Sequence, residues 1–220
     1  MRVLILGASG LTGTALCREA LARGHAVTAL VRSPEKVAKD VSSHASAAVR
    51  GGDPLDLAVV QAALASAPHD AVLVALGGGG IMARDYIRST ATKNVIAAME
   101  ATPALLTPGP NGGARLVICS SMGASESKPW IPSFIFWMLS KVLDDHTDQE
   151  AAVRASKLSW TIARPTGLTK EPRSSAPLRV ALSGPVATNT VSRSDVAAFM
   201  LDSLTSAEYV GKAPGLCKPA

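Results

Sequence analysis

Aromatic side chains are scarce in this chain: three Phe, three Trp and two Tyr among 220 residues. Neither Tyr86 nor Tyr209 has a lysine four residues later. A Tyr-x-x-x-Lys pair, in which the lysine lowers the tyrosine pKa so that it can exchange a proton with a substrate oxygen, is therefore absent. Cysteine is limited to Cys17, Cys119 and Cys217, with no C-x-x-C. That spacing indicates neither a disulfide framework nor a zinc site, and fits the reduced thiols of the cytoplasm. Blocks of like charge are missing too, and the net charge of +5 is modest. A nucleic-acid footprint is not indicated, whereas a small basic excess suits an anionic cofactor. No apolar run approaches the roughly 18 residues needed to span a bilayer, so stable membrane insertion is not expected. The N-terminal apolar run of Val3-Leu4-Ile5-Leu6 passes straight into a glycine turn, unlike a secretory signal.

What the chain does have is apolar bulk. Hydrophobic residues make up 47% and charged residues 18%, which is enough for a well-filled core. The length fits one α/β domain over residues 1–220. Its organising stretch is Gly7-Ala8-Ser9-Gly10-Leu11-Thr12-Gly13, between that apolar strand and the helical run Ala15 to Leu21. Strand, tight turn and helix opening in that order gather free backbone N–H groups and the positive end of a helix dipole at one point, which suits a pyrophosphate. The three glycines have separable tasks: turning the chain, letting a phosphate approach the backbone, and letting the helix pack on the strand.

Ala26 to Val31 reads as a second buried strand, and it ends in Arg32. In such a fold an acid at that point binds the ribose 2′-OH and a base accepts a 2′-phosphate. Arg32, with Lys36 four residues on, favours NADP(H) over NAD(H). A third strand over Ala47 to Arg50 leads to Asp53, which either reaches the adenine or caps a helix from Leu55 to Ala65. Asp70 to Leu76 is a fourth strand running into Gly77-Gly78-Gly79-Gly80, where backbone can lie against a ligand. A helix from about Tyr86 to Met99 is followed by a Pro/Gly-rich surface loop over Pro103 to Gly113. Leu116 to Cys119 is the fifth strand, and Ser120 and Ser121 end it at the same edge as the glycine loop. There a hydroxyl can orient a substrate carbonyl or the nicotinamide amide, or cap the next segment.

Trp130, Phe134, Phe136 and Trp137 supply half of the aromatic residues. They form a wall for a small planar apolar substrate, or else core or a dimer contact. Asp144 to Ser156 reads as a long helix, Leu158 to Ala163 as a sixth strand, and residues 169–188 as a proline-rich loop segment suited to substrate contacts. Substrate loops are thus expected at about 122–140 and 166–190. Ser194 is expected to cap a last helix, and the tail after Gly211 to be poorly ordered. The alternation of strands and helices predicts a Rossmann-type doubly wound, mostly parallel sheet.

The glycine turn, Val31-Arg32-Ser33-Pro34, Gly52-Asp53 and Ser156-Lys157-Leu158-Ser159-Trp160-Thr161-Ile162-Ala163-Arg164-Pro165 together resemble the atypical short-chain dehydrogenase/reductases with an NmrA-like NAD(P)-binding domain. Within that group, Asn94 to Met99, Cys119-Ser120-Ser121 and Asp144-Asp145-His146 are similar to the biliverdin-IXβ reductase/flavin reductase branch. The resemblance implies that Gly7, Ser9, Gly10, Leu11, Thr12 and Gly13 hold the pyrophosphate, Arg32 the 2′-phosphate and Asp53 the adenine. Leu76 and Gly77 would line the cofactor, while Ser120, Ser121 and Pro165 would lie near the nicotinamide. The departure is the missing dyad: Trp137 stands four residues before Lys141, and in the other helix register Val142 and His146 take the tyrosine and lysine positions. A flavin-type reductase needs no dyad, because an electron-poor ring accepts hydride directly. Ser121 as orienting group and His146 as proton donor are the catalytic candidates. The alternatives are an NADP(H)-sensing regulator without turnover and a biosynthetic reductase or isomerase dedicated to one metabolite. A monomer or homodimer is expected.

Overall fold

The computed structural model describes residues 1–77, 86–106, 113–125, 133–182 and 190–218, with the backbone alone for 133–139 and 141. β1 (Arg2–Leu6) leads through the glycine turn into α1 (Leu11–Ala22), and β2 (Ala26–Val31) lies parallel to β1. A one-turn α2 (Lys39–Ser42) precedes β3 (Ala47–Gly51); α3 (Leu57–Ala65), β4 (Ala71–Val74) and α4 (Ile87–Glu100) follow. Then come the short α5 (Pro103–Leu106), β5 (Arg115–Cys119), the long α6 (Ser133–Ala155) and β6 (Ser159–Pro165). The chain closes with β7 (Gly167–Thr169), β8 (Arg179–Ala181), β9 (Thr190–Ser192), α7 (Arg193–Asp202) and β10 (Gly215–Cys217).

Eight of these strands form one sheet in the order β3-β2-β1-β4-β5-β6-β10-β8, parallel except for β8 against β10, while β7 and β9 pair separately. From β1 the chain winds outward first to β2 and β3, then returns to the other side for β4, β5 and β6. That reversal opens a crevice at the carboxyl ends of β1 and β4. Strand β1 shows how the core is filled. Val3 and Ile5 pack with Leu16 and Ala20 of α1 and with Val196 and Met200 of α7. Leu4 and Leu6 point the other way, into the layer of α3, α4 and α6, where Val60, Met99 and Val153 meet them. The period of two follows from the pleat, and both faces are apolar because helices cover both. Among the described residues no helix is long and apolar enough to cross a membrane.

Several local expectations change. Helix α6 starts at Ser133, well before Asp144, so the loop expected over 122–140 becomes helical backbone from Ser133 on. The apolar residues from Ser133 on are adequate helix formers. Phe134, Phe136 and Trp137 lie in its first turns; Trp130 and Gly78 to Gly80 lie outside the described residues. The tail is not poorly ordered: β10 is inserted between β6 and β8, with Leu216 and Cys217 fully buried. Its backbone accepts from Arg164 N–H at Pro214 O (3.0 Å) and from Thr166 N–H at Leu216 O (3.0 Å). A three-residue strand carries no periodic signal, and its partners are remote in sequence. Ser192, not Ser194, caps α7, because its Oγ accepts from Asp195 N–H at 3.0 Å while donating to Asp195 Oδ2 at 2.7 Å. The segment expected as loop over 169–188 contains β8, and the surface loop from Pro103 opens with α5.

Candidate active site

The glycine turn divides its tasks as its chemistry suggests. Gly7 has φ +86°, and a Cβ there would sit 2.5 Å from Ala75 O, so this residue turns the chain against β4. At Gly13 a Cβ would lie 2.0 Å from Gly7 O, which makes it the position that lets α1 close on the turn. Gly10 is different, since a Cβ there would meet only Gly7 O, at 3.3 Å. It is exposed, and it is the N-cap of α1. No side chain caps this helix and its first turn holds no acid. The first-turn residues Leu11 and Thr12 stand beside it, Leu11 at 57% exposure. Bare N–H groups of this kind are what an anion binds.

In front of the turn lies a cleft of about 690 Å³, within the range of small-molecule sites. Gly7, Ser9, Gly10, Leu76 and Gly77 form one side of it. A Cβ at Gly77 would touch nothing within 4 Å, so the backbone there faces open space. The other side comes from the end of β2 and beyond: Val31, Arg32, Ser33 and Lys36, with Pro54 and Ile87 closing the walls. Two cations and a bare helix end at one cleft fit a phosphorylated dinucleotide. Asp53 is exposed beside Pro54; its Oδ1 accepts from Leu55 N–H at 3.1 Å, and the cap of α3 is Asp56, through Ala58 N–H at 2.8 Å. The capping role weighed for Asp53 therefore falls to Asp56.

Ser120, Ser121 and Pro165 gather one and two strands further along the sheet. Ser120 N–H donates to Ala163 O (2.8 Å) and Met122 N–H to Pro165 O (2.9 Å), which ties the end of β5 to that of β6. Ser121 is half-buried and its Oγ donates to Met122 O at 3.1 Å. The Ser120 hydroxyl is spent on Glu150 Oε1 at 2.6 Å. Glu150 is fully buried and also accepts from Ser125 Oγ (3.1 Å), Arg164 Nε (2.9 Å) and Arg164 Nη2. Burial opposes its charge, but the hydrogen bonds from Arg164 and Ser120 outweigh it and hold the carboxyl below its usual pKa.

A second buried acid lies nearby. Asp145 accepts from Arg88 N–H (3.2 Å), Ser89 N–H (2.9 Å) and Arg88 Nη1 (3.1 Å), so α6 supplies the cap that Tyr86 does not give to α4. Burial again works against ionisation, and bonds from Ser89 and Arg88 prevail. Next to it, His146 is not on the helix surface. It is 7% exposed, with Nδ1 3.3 Å from Gln149 Oε1, and Gln149 Nε2 donates to Thr92 Oγ1 at 3.0 Å. Burial, then the Arg88 charge, pushes its pKa down to about 4. At neutral pH this imidazole carries no extra proton to give.

Of the residues singled out from the sequence, Gly7, Ser9, Gly10, Arg32, Leu76 and Gly77 line the cleft, whereas Ser120, Ser121 and Pro165 lie at the ends of β5 and β6, in front of a polar network that the sequence reading missed. Pairing Glu150 with Arg164 had a faint signal, an arginine closing an apolar strand. Asp145 as a cap for N–H groups 56 and 57 residues away had none.

A family model described as NAD(P)H-binding matches residues 7–207. Across 100% of both chains, the protein is similar to ChuY, an anaerobilin reductase from Escherichia coli O157:H7, with 26% identity and a TM-score of 0.79. A Rossmann-fold NAD(P)-binding protein from Shigella flexneri is 25% identical over 100% of this chain and 94% of that one, with a TM-score of 0.72. A short-chain dehydrogenase/reductase from Veillonella parvula, in complex with NADP, shares the fold at 19% identity and a TM-score of 0.77, over 100% of this chain and 95% of that one. The chain belongs to this NAD(P)H-binding family, in the atypical short-chain dehydrogenase/reductase group, and is an NAD(P)H-dependent oxidoreductase.

Proposed function

We propose that the protein reduces a flat, apolar, conjugated acceptor, such as a flavin, a quinone or a related aromatic, and that water supplies the proton. One observation carries this reading. Helix α6 presents no tyrosine–lysine pair, and His146, at the lysine position of one register, is buried and neutral above a pKa of about 4. An electron-poor ring takes up hydride without an acid at its oxygen, whereas an isolated carbonyl needs one. ChuY is named for the reduction of anaerobilin, and a tetrapyrrole-like molecule belongs to the same class of acceptors.

NADPH, when bound, supplies the hydride. The glycine turn and the bare end of α1 hold its pyrophosphate, Arg32 and Lys36 meet the 2′-phosphate, and Asp53 lies at the adenine. Ser121 and Pro165 stand at the nicotinamide. A serine hydroxyl has no pKa suited to proton transfer near neutrality, so Ser121 acts by orienting its neighbours. Three free, buried thiols support a cytoplasmic setting, and the protein acts as a monomer or homodimer without nucleic acid.

Steady-state NADPH oxidation with flavins, quinones and tetrapyrrole-like acceptors tests the reading. Turnover is expected with at least one of them, and Ser121→Ala should slow it by roughly tenfold to a hundredfold, about 1.4–2.7 kcal/mol of barrier. NADPH binding with no acceptor reduced would instead favour a nucleotide sensor.

A further inference from the structure

Pro54 is buried and lines the cofactor cleft, but it sits on a loop between β3 and α3 that is only partly held by its own residues. Gly52 N–H donates to Val31 O at 2.9 Å, which fixes the start of the loop to the end of β2, and Asp56 N–H donates to Asp53 O at 3.0 Å. The carbonyls of Pro54 and Leu55 turn the other way. Both are met by one side chain: Asn94 Nδ2 donates to Pro54 O at 3.0 Å and to Leu55 O at 2.9 Å, across some 40 residues of sequence. Two carbonyls can only accept, so the amide is held with its NH₂ toward the loop and both of its hydrogens are used. Asn94 lies seven residues after Ile87, on the same face of α4, and Ile87 itself lines the cleft. One helix face therefore contributes a wall of the cleft directly and holds a second wall at its back.

We propose that Asn94 is a positioning residue for the adenine end of the site. By fixing the carbonyls of Pro54 and Leu55 it sets where Asp53 and Pro54 stand, and so sets affinity for the adenosine half of the dinucleotide without touching it. The inference rests on the placement of the adenine at Asp53 proposed above. Asn94 is half-buried and Leu55 is exposed, so the fold has a route to survive its loss through water.

Calorimetric titration of 2′,5′-ADP and of NADPH into the wild type, Asn94→Asp, Asn94→Ala and Arg32→Ala, with a melting curve for each, tests it. Asn94→Asp keeps the shape but turns both donors into acceptors facing carbonyls. It should weaken 2′,5′-ADP and NADPH by the same factor, about fivefold to thirtyfold, and move Tm by no more than a few degrees. Asn94→Ala should follow with a smaller loss, and decides the matter if the aspartate does not fold. Unchanged affinity, or a loss for NADPH that 2′,5′-ADP does not share, overturns the inference while the Arg32 response shows that the cofactor placement stands. Failure of 2′,5′-ADP to compete with NADPH in the wild type overturns the placement, and the role of Asn94 with it.

Discussion

Two helices open toward the crevice at the carboxyl edge of the sheet, and their N-termini are treated in opposite ways. Helix α1 starts at Gly10 with no side-chain cap and no acid in its first turn. Helix α4 starts at Tyr86, held at φ 43°, and its N–H groups at Arg88 and Ser89 are filled by Asp145 from α6. Each end carries the same partial positive charge and the same orphan donors. The difference lies in which end the protein satisfies with its own carboxylate. Filling α4 leaves α1 as the free end beside the cleft, next to Arg32 and Lys36. It also closes the region around the start of α4, where Asp145, His146 and Glu150 are all buried.

The strongest way to break this comparison is to empty α4. Asp145→Ala leaves the Arg88 guanidinium, 11% exposed, without its acid and the helix without its cap. The expected cost is about 3–5 kcal/mol of unfolding free energy by urea titration. A loss below about 1 kcal/mol would show that water caps α4 as well as the carboxylate does, and the two helix ends would no longer differ.

Acid acts on the same buried region. His146 has a folded pKa of about 4 against the 6.5 of a free histidine side chain, so between those values the unfolded chain binds more protons than the native one. Stability therefore falls as the pH drops through that window and levels off below it, by up to about 3 kcal/mol from this group. His146→Gln should flatten the difference between chemical denaturation curves taken at pH 6.5 and pH 4.5. An equal pH response in the variant would place the titration elsewhere, with His69 next in line because burial lowers its pKa too.

On the open side, Gly10→Val adds a branched side chain where a Cβ meets only Gly7 O. The fold should survive while NADPH affinity falls by about a hundredfold or more, roughly 2.7 kcal/mol. A folded variant that binds NADPH as before would put the pyrophosphate away from α1. The smallest expected effect sharpens the choice of cofactor: Arg32→Ala should weaken NADPH by about 1.5–3 kcal/mol and leave NADH nearly unchanged. Equal losses in titrations of both would remove the 2′-phosphate from Arg32.

Much of the cofactor side is local, and for that reason it was legible. A strand, three glycines and a helix are neighbours in the chain, so the turn and the uncapped end of α1 follow from residues 3–21 alone. Arg32 is placed by the end of one strand. The apolar runs of β1, β2, β4 and β5 announce a sheet covered on both faces, and their alternation with helical segments announces parallel winding. Apolar patterning also set the sheet's core, since Val3 to Leu6 are fully buried whichever layer they face.

What the tertiary structure decided depends on partners far apart in sequence. Leu216 became a buried strand residue because β6 and β8 offer it open edges, and nothing in three residues signals that. Ser120 found Glu150 30 residues on, and Asn94 found the carbonyls of Pro54 and Leu55. His146 became a neutral core residue because α4 and its Arg88 pack against α6. A single side chain of Asp, Asn, Glu or His has the same donors and acceptors on a surface as in a core. Only the packing of one helix on another removes the water and selects the partner.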